Sequence, residues 1–150
     1  MFVQISTQLN CTESELWEKL SKQESLQFIA SPVLAFVSMN RGTLDSKWAV
    51  GHKYLFKLYL LHFIPLGVHA IRLVKIDRNQ NIISSHERGL LTPVWNHKIT
   101  FKEIKPGLVS YRDEIEIGAG WLTPFVCVFA HVFYRHRQRR WKRLLSNERK

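Results

Sequence analysis

The sequence predicts an α+β fold in which a curved, seven-stranded antiparallel sheet wraps around a long C-terminal helix. Three observations carry this reading. Residues 2 to 9 alternate as a half-buried strand does, with Val3, Ile5, Thr7 and Leu9 on one face and Phe2, Gln4, Ser6 and Gln8 on the other. Two short helical patterns follow, then six more strand patterns with short joins, and short joins make neighbouring strands antiparallel. Last comes Trp121 to Leu145, WLTPFVCVFAHVFYRHRQRRWKRLL, the only element long enough to cover the apolar face of such a sheet.

The elements can be justified in order. Thr12 with Glu15 makes a capping box, and Cys11 and Leu16 stand where a hydrophobic staple would. Glu15 to Lys19 and Glu18 to Lys22 are favourable i,i+4 pairs, and Trp17 and Leu20 supply the apolar side. Ser21 and Glu24 repeat the capping box and open a second short helix through Leu26 and Ile29, which must stop before Pro32. Beyond Pro32 the period becomes two. Val33, Ala35 and Val37 alternate with Leu34, Phe36 and Ser38, and further strands read at Tyr54 to Phe63, Val68 to Ile76, Ile82 to Arg88, Val94 to Ile104 and Leu108 to Ile117. The breaks carry turn chemistry at Asn40 to Gly42, Pro65 to Gly67, Asp77 to Asn81, Gly89 to Pro93 and Pro106-Gly107.

For the final helix, Thr123 is the expected N-cap and Pro124 the first helical residue, where a missing N–H does no harm. About 22 residues span roughly 33 Å. At helical spacing Leu122, Phe125, Val126, Phe129, Val132, Phe133, Arg140, Trp141, Leu144 and Leu145 track one side. Cys127, His131, Tyr134, Arg135, Gln138 and Lys142 track the other.

At 150 residues with 45% hydrophobic content, the chain has the size and the apolar stock of one domain. The formal net charge of +10 is concentrated at one end. Arg135, Arg137, Arg139, Arg140, Lys142, Arg143, Arg149 and Lys150 are eight of the 22 basic residues, accompanied only by Glu148, which leaves 14 basic against 11 acidic residues elsewhere. Two cysteines, Cys11 and Cys127, are too few for a disulfide scaffold, and the N-terminus has neither a basic nor an apolar leader region, so a reducing cytoplasm is expected. The apolar run from Ala119 to Tyr134 falls short of the ~20 residues of a membrane span and contains Pro124 and His131. A buried core helix therefore ranks ahead of a span.

Taken together, TESELWEKL after the first strand, PVWNHKITF, SYRDEIEIGAGWLTP and the closing FYRHRQRRWKRLL resemble the START-like, helix-grip superfamily. The likeness is specifically to the small bacterial SRPBCC ligand-binding domains, in the same superfamily as the birch pollen allergens and polyketide cyclases. It covers essentially the whole chain. The resemblance implies a single domain over 1–150, a cavity between the curved sheet and the long helix, and a hydrophobic or amphipathic small molecule, or a lipid, as the ligand. Function must still be argued from the site.

The most informative strands flank Pro106-Gly107. Trp95, His97, Ile99 and Phe101 share one face, and Val109, Tyr111, Asp113, Ile115 and Ile117 share another, both apolar enough to point inward. His97 then lies opposite Asp113 or one diagonal step from it. The pair reads first as a structural hydrogen bond or a polar anchor in the ligand cavity, and second as catalytic machinery with His97 as general base, in a cyclase- or hydratase-type enzyme. Glu87 and Arg72 lie in strands that alternate weakly, so either could enter the cavity, and a solvated face ranks first for both. Trp121, Phe125, Phe129 and Phe133 could line a pocket, though aromatics at helical spacing are more often simply core. The candidate ligand contacts are therefore Trp95, His97, Tyr111, Asp113, Glu87, Trp121, Phe125 and Phe129.

Other chemistries find no support. The seven histidines lack metal-ligand spacing, neither cysteine has a metal-ligand partner nearby, and there is no GxSxG, Walker or GxGxxG motif, so no metal and no cofactor is predicted. The basic tail reads first as a solvated face, second as a peripheral membrane contact through Arg135, Arg139 and Lys142 with Trp141 and Leu144 interleaved, and last as a nucleic-acid surface. Oligomeric state is left open.

Overall fold

Period-two alternation produces seven strands: β1 Phe2–Leu9, β2 Leu34–Ser38, β3 Lys53–Leu60, β4 Ile64–Asp77, β5 Ile82–Arg88, β6 Val94–Lys105 and β7 Leu108–Gly118. The helices are α1 Glu13–Leu20, α2 Gln23–Ala30 and α3 Thr123–Asn147. The structure is a computed structural model that describes residues 1–39 and 48–147. The expected turn at Asn40 to Gly42 and the terminal charges Glu148, Arg149 and Lys150 lie outside the described residues. Every neighbouring pair of strands is antiparallel, in the order β1-β7-β6-β5-β4-β3-β2. Strands β2 to β7 form a meander, while β1 pairs with β7. Helices α1 and α2 therefore carry the chain from one edge of the curved sheet to the other, and α3 lies against α2, β1 and β7. This is the helix-grip architecture expected from the order of elements.

Local chemistry pins the short helices. Thr12 Oγ1 accepts from Glu15 N–H at 3.1 Å and Glu15 Oε1 accepts from Thr12 N–H at 3.2 Å, the reciprocal capping box, with Cys11 and Leu16 fully buried beside it. The Glu13 carboxylate accepts from Glu103 N–H at 2.8 Å and the Glu103 carboxylate from Glu13 N–H at 3.0 Å, which ties α1 to β6. Trp17 Nε1–H donates to Asn81 Oδ1 at 2.8 Å in the β4–β5 turn. Gln27 bonds both backbone groups of Phe36, which ties α2 to β2. Leu9, Leu16, Trp17, Ile29, Phe101 and Trp141 then pack as one cluster that seals this end of the sheet.

Three local expectations change. Ser21 does not cap α2, whose N-cap is Lys22 without a side-chain bond; it is the C-cap of α1, and its hydroxyl donates to Glu18 O at 2.9 Å. With two residues between the helices, the same serine cannot serve both ends. The β3–β4 hairpin turns at Leu61 and His62, which adopt φ of 53° and 70°, while Pro65 to Gly67 belong to β4. Leu58 pairs with Gly67 and Tyr59 with Pro65, so Leu66 is an extra, bulged residue, and Gly67 at φ 86° supplies the backbone a bulge needs as readily as a turn does. Finally, the Thr123 hydroxyl donates to Gly120 O at 2.7 Å and accepts from Ala119 N–H at 3.0 Å. It closes a 3-10 turn, Gly120–Leu122, ahead of α3 rather than capping the helix.

The buried face of α3 also differs from the expected one. Cys127, Ala130, Phe133, Tyr134, Arg137, Gln138, Trp141 and Leu145 face the core, whereas Phe125 and Val132 are exposed. The stripe is rotated by about a quarter turn. Residues 125 to 130 are apolar all round, so only the second half of the helix can select a face, and there the inner face carries two polar residues, Arg137 and Gln138. Placement of the two end tryptophans tests this face. Trp141, 1% exposed, should cost about 3–5 kcal/mol on replacement by alanine. Trp121, 82% exposed, should cost under about 0.5 kcal/mol. Urea unfolding of both variants measures the difference, and equal losses would contradict the rotation.

Candidate functional site

Four adjacent strands each turn one ionisable residue onto the concave face: His69 in β4, Glu87 in β5, His97 in β6 and Asp113 in β7. Ile71 pairs with Glu87, Glu87 with Trp95, His97 with Ile115 and Ile99 with Asp113, so each member stands one diagonal step from the next. Long side chains bridge that step. His69 Nε2 lies 2.9 Å from Glu87 Oε1, and Ser85 Oγ donates to Glu87 Oε2 at 2.8 Å. His97 Nδ1 is 3.9 Å from Glu87 Oε2, and His97 Nε2 is 2.7 Å from Asp113 Oδ1. The Tyr111 hydroxyl donates to the same carboxylate oxygen at 3.1 Å, while Gln138 Nε2 donates to Asp113 Oδ2 at 3.0 Å and to Ile5 O at 2.9 Å. The band thus crosses four strands and ends on α3 and β1. Gly89 makes room for it, since a Cβ there would sit 2.8 Å from His69 Nδ1.

Between this wall and α3 lies a cavity of about 390 Å³, within the ~300–1,000 Å³ range of small-molecule sites. Its lining is mostly apolar, with Leu34, Phe36, Ile71, Trp95, Phe129 and Phe133 prominent, and His69, Ser85, Glu87, His97 and Arg137 add polar atoms. Leu90 and Phe125 line it and yet are 75% and 68% exposed, which places the mouth at the β5–β6 loop and the start of α3.

Electrostatics follow from enclosure. Burial pushes the Glu87 carboxyl up, but the His69 hydrogen bond and charge, the His97 charge and the Ser85 hydroxyl more than offset it, so Glu87 lies below its ordinary value. Burial and then the Asp113 charge raise the Tyr111 phenol well above its usual range. Burial likewise raises Tyr134, whose hydroxyl accepts from Trp95 Nε1–H at 3.0 Å. For Arg137, burial opposes the charge, and the fields of Tyr134, Asp113, Tyr111 and Glu87 outweigh it. Its guanidinium carbon sits 4.8 Å from the Tyr134 ring centroid and 5.8 Å from that of Phe133.

Of the sequence candidates, Trp95, His97, Glu87, Phe125 and Phe129 line the cavity. His97 and Asp113 take the diagonal of the two arrangements left open. Tyr111 and Asp113 share that sheet face but are fully buried beyond the cavity lining, covered by Trp141 and Gln138 of α3. Trp121 does not reach the cavity: it belongs to the 3-10 turn, in which Leu122 takes the inner side. Glu87 faces inward and not to solvent, because pairing with Trp95 decides the register that weak alternation left open, whereas Arg72 is exposed.

His69, Ser85 and Arg137 were not singled out as cavity residues from sequence. His69 is in phase with Ile71 and Leu73, and Arg137 is four residues from both Phe133 and Trp141, so a signal existed in each case. Arg135, Arg139 and Lys142 are exposed, and Arg135 donates to Ser6 O at 3.2 Å. Trp141 and Leu145 are in the core and Leu144 is half-buried, so the expected interleaving of apolar anchors with these cations is absent. Among the described residues no three His, Cys, Asp or Glu side chains are grouped to hold a metal ion, and no helix is long and apolar enough to cross a membrane.

The curved sheet, the long helix it wraps and the cavity between them are the features of the START-like helix-grip fold. The chain belongs to the family described as a domain of unknown function, DUF8410, which matches residues 7–145. No curated protein matches it. Among solved structures it is similar to protein CV1439 from Chromobacterium violaceum, at 12% identity and a TM-score of 0.75 over 95% of each chain. It is also similar to a START superfamily protein from Mycobacterium smegmatis, at 9% identity and 0.73 over 97% of each chain. A third is the di-domain ARO/CYC BexL from the BE-7585A biosynthetic pathway, at 11% identity and 0.70 over 97% of this chain and 46% of that one. At these identities the likeness concerns the fold.

The lowered Glu87 carboxyl has a pH signature. Its ionised form stabilises the fold above the ordinary value of 4.5, and that contribution is lost as pH falls through the lower folded-state value. The difference in unfolding free energy between the wild type and Glu87→Gln should therefore narrow below pH 4.5, as urea titrations across the acid range would show. A difference that stays constant would contradict the ionised, hydrogen-bonded Glu87.

Proposed function

We propose that the protein binds a hydrophobic or amphipathic small molecule between its sheet and α3. The observation that carries this reading is the cavity itself: about 390 Å³ of mainly apolar lining, one hydrogen-bonded polar band on its wall, and an apolar mouth at Leu90 and Phe125. The START superfamily and ARO/CYC neighbours support it at the level of fold. Cys11 and Cys127 are buried as thiols, which agrees with a reducing, cytoplasmic setting.

Native mass spectrometry of protein purified from cells should show a noncovalent adduct. A panel of lipids and polyketide-like molecules should include one that raises unfolding stability by about 2.7 kcal/mol at a free concentration of 100 Kd. Val126→Trp, at a half-buried lining position, should fill the cavity and abolish both signals while leaving the circular dichroism spectrum intact. No adduct together with no thermal shift across the panel would overturn the reading.

A second reading has one specific observation behind it. His97 lines the cavity and is held by Asp113 through Nε2, as an oriented general base would be, while its Nδ1, 3.9 Å from Glu87 Oε2, is beyond hydrogen-bond distance of that carboxylate. It ranks below binding because Asp113 is fully buried and already satisfied by Tyr111, His97 and Gln138, as a structural carboxylate would be. If the protein is a cyclase or hydratase, His97→Asn should abolish turnover of a bound apolar substrate with little change in its affinity. Parallel loss of affinity and folding would assign the pair to structure instead.

A further inference from the structure

Neither the core nor the polar band accounts for Arg137. It stands on the buried stripe of α3, is 7% exposed and lines the cavity. The rings of Tyr134 and Phe133 hold its guanidinium from the side, a contact that fixes a cation without using its N–H donors. Among the described residues no hydrogen bond or ion pair reaches it, and its Nε is enclosed without an acceptor. Arg140, three residues on, shows the ordinary alternative, stacking on Phe28 at 4.0 Å while its Nε–H donates to Phe28 O at 3.0 Å.

The two acids whose fields reach Arg137 are otherwise engaged. Glu87 is taken by His69 and Ser85, and Asp113 by His97, Tyr111 and Gln138. A guanidinium whose Nε–H is enclosed without an acceptor is costly, and its planar fork matches an oxyanion.

We infer that Arg137 is the headgroup site of the cavity, and that the ligand is an amphiphile whose carboxylate or phosphate accepts from this guanidinium. The apolar tail runs past Phe133, Phe129 and Val126 to the mouth at Phe125. Residues 125 and 137 are separated along the helix by about 18 Å, a length that an extended acyl chain spans. Charge along the lining agrees with an anion. Among the described lining residues Glu87 is the only acid, and its oxygens are covered by His69 and Ser85. The described lining residues include two obligate cations, Arg137 and Lys22, and Lys22 lies 3.6 Å from Glu18. The inference rests on the cavity-binding reading and narrows it to acidic amphiphiles.

Calorimetric titration with dodecanoate, dodecyl phosphate and 1-dodecanol, each kept below its aggregation limit, tests it on the intact chain. The wild type should bind at least one of the two anions about tenfold or more tighter than the alcohol, as a charge-assisted contact made in an enclosed site requires, and the better anion identifies the headgroup. Arg137→Met should bring that anion down to the affinity of dodecanol for the same variant. Should Arg137→Met fail to fold, Arg137→Gln takes its place, and the wild-type ratio stands without any variant. Equal affinity for all three molecules in the wild type, or an anion preference that survives loss of the guanidinium, would overturn the headgroup assignment while leaving the cavity reading intact. Binding of none of the three would count against the cavity reading as well.

Discussion

A line of polar contacts runs from His69 through Glu87, His97 and Asp113 to Gln138, hydrogen-bonded except where His97 Nδ1 stands 3.9 Å from Glu87, and lies on a concave sheet face that is otherwise mostly apolar. In a low-dielectric interior an unmet polar group is costly, and this band meets most of its own, His69 Nδ1 and Gln138 Oε1 being its buried atoms without a partner among the described residues. Because the members sit on diagonal positions of four successive strands, a slip of one residue in any pair would turn an entire set of side chains to the other face and strand its neighbours. Gln138 extends the constraint to α3 by bonding Asp113 and Ile5 O together, so the rotation and height of the helix are fixed by these two bonds.

That rotation explains why the cavity is not filled. With Gln138, Trp141 and Leu145 turned to the sheet, the lower half of α3 closes on Leu9, Tyr111 and the short helices, and this cluster seals one end. The upper half presents Val126, Phe129 and Phe133 across a gap to Phe36, Ile71 and Trp95. Side chains that a different rotation would have buried, Phe125 and Val132, are left outside. A polar requirement at one end of a helix therefore holds open an apolar space at the other. The same rotation brings Arg137 inward, where aromatic faces support it and only the contents of the cavity remain to accept from it.

Much of this was legible in the chain. Alternation in Phe2 to Leu9, the Thr12 and Glu15 capping box, the antiparallel order implied by short joins and the inward faces containing His97 and Asp113 are all near-neighbour properties. Sequence spacing alone expresses them. The failures share a different cause. Ser21, Gly67 and Thr123 carry generic signals for a cap or a turn, and each was used at a neighbouring feature because the hydrogen-bond partner that decides between uses is set by geometry. Glu87 was ambiguous because Ser84 to Arg88 are polar on both faces, and only pairing with Trp95 tells the two apart.

What the sequence determined by itself is the fold class, the element order and the identity of the strands that can face inward, since periodicity and capping are local free-energy preferences. Tertiary structure alone decided which face of α3 is inner, that His69, Glu87 and Arg137 meet at one cavity, and that Trp121 stays out of it. The physical reason is that buried polar residues are placed by their partners and not by their polarity. Gln138 looks like a solvent-facing residue until Ile5 and Asp113 from two other strands supply its acceptors, and Arg137 does so until α3 is turned with the rings of Tyr134 and Phe133 toward the sheet.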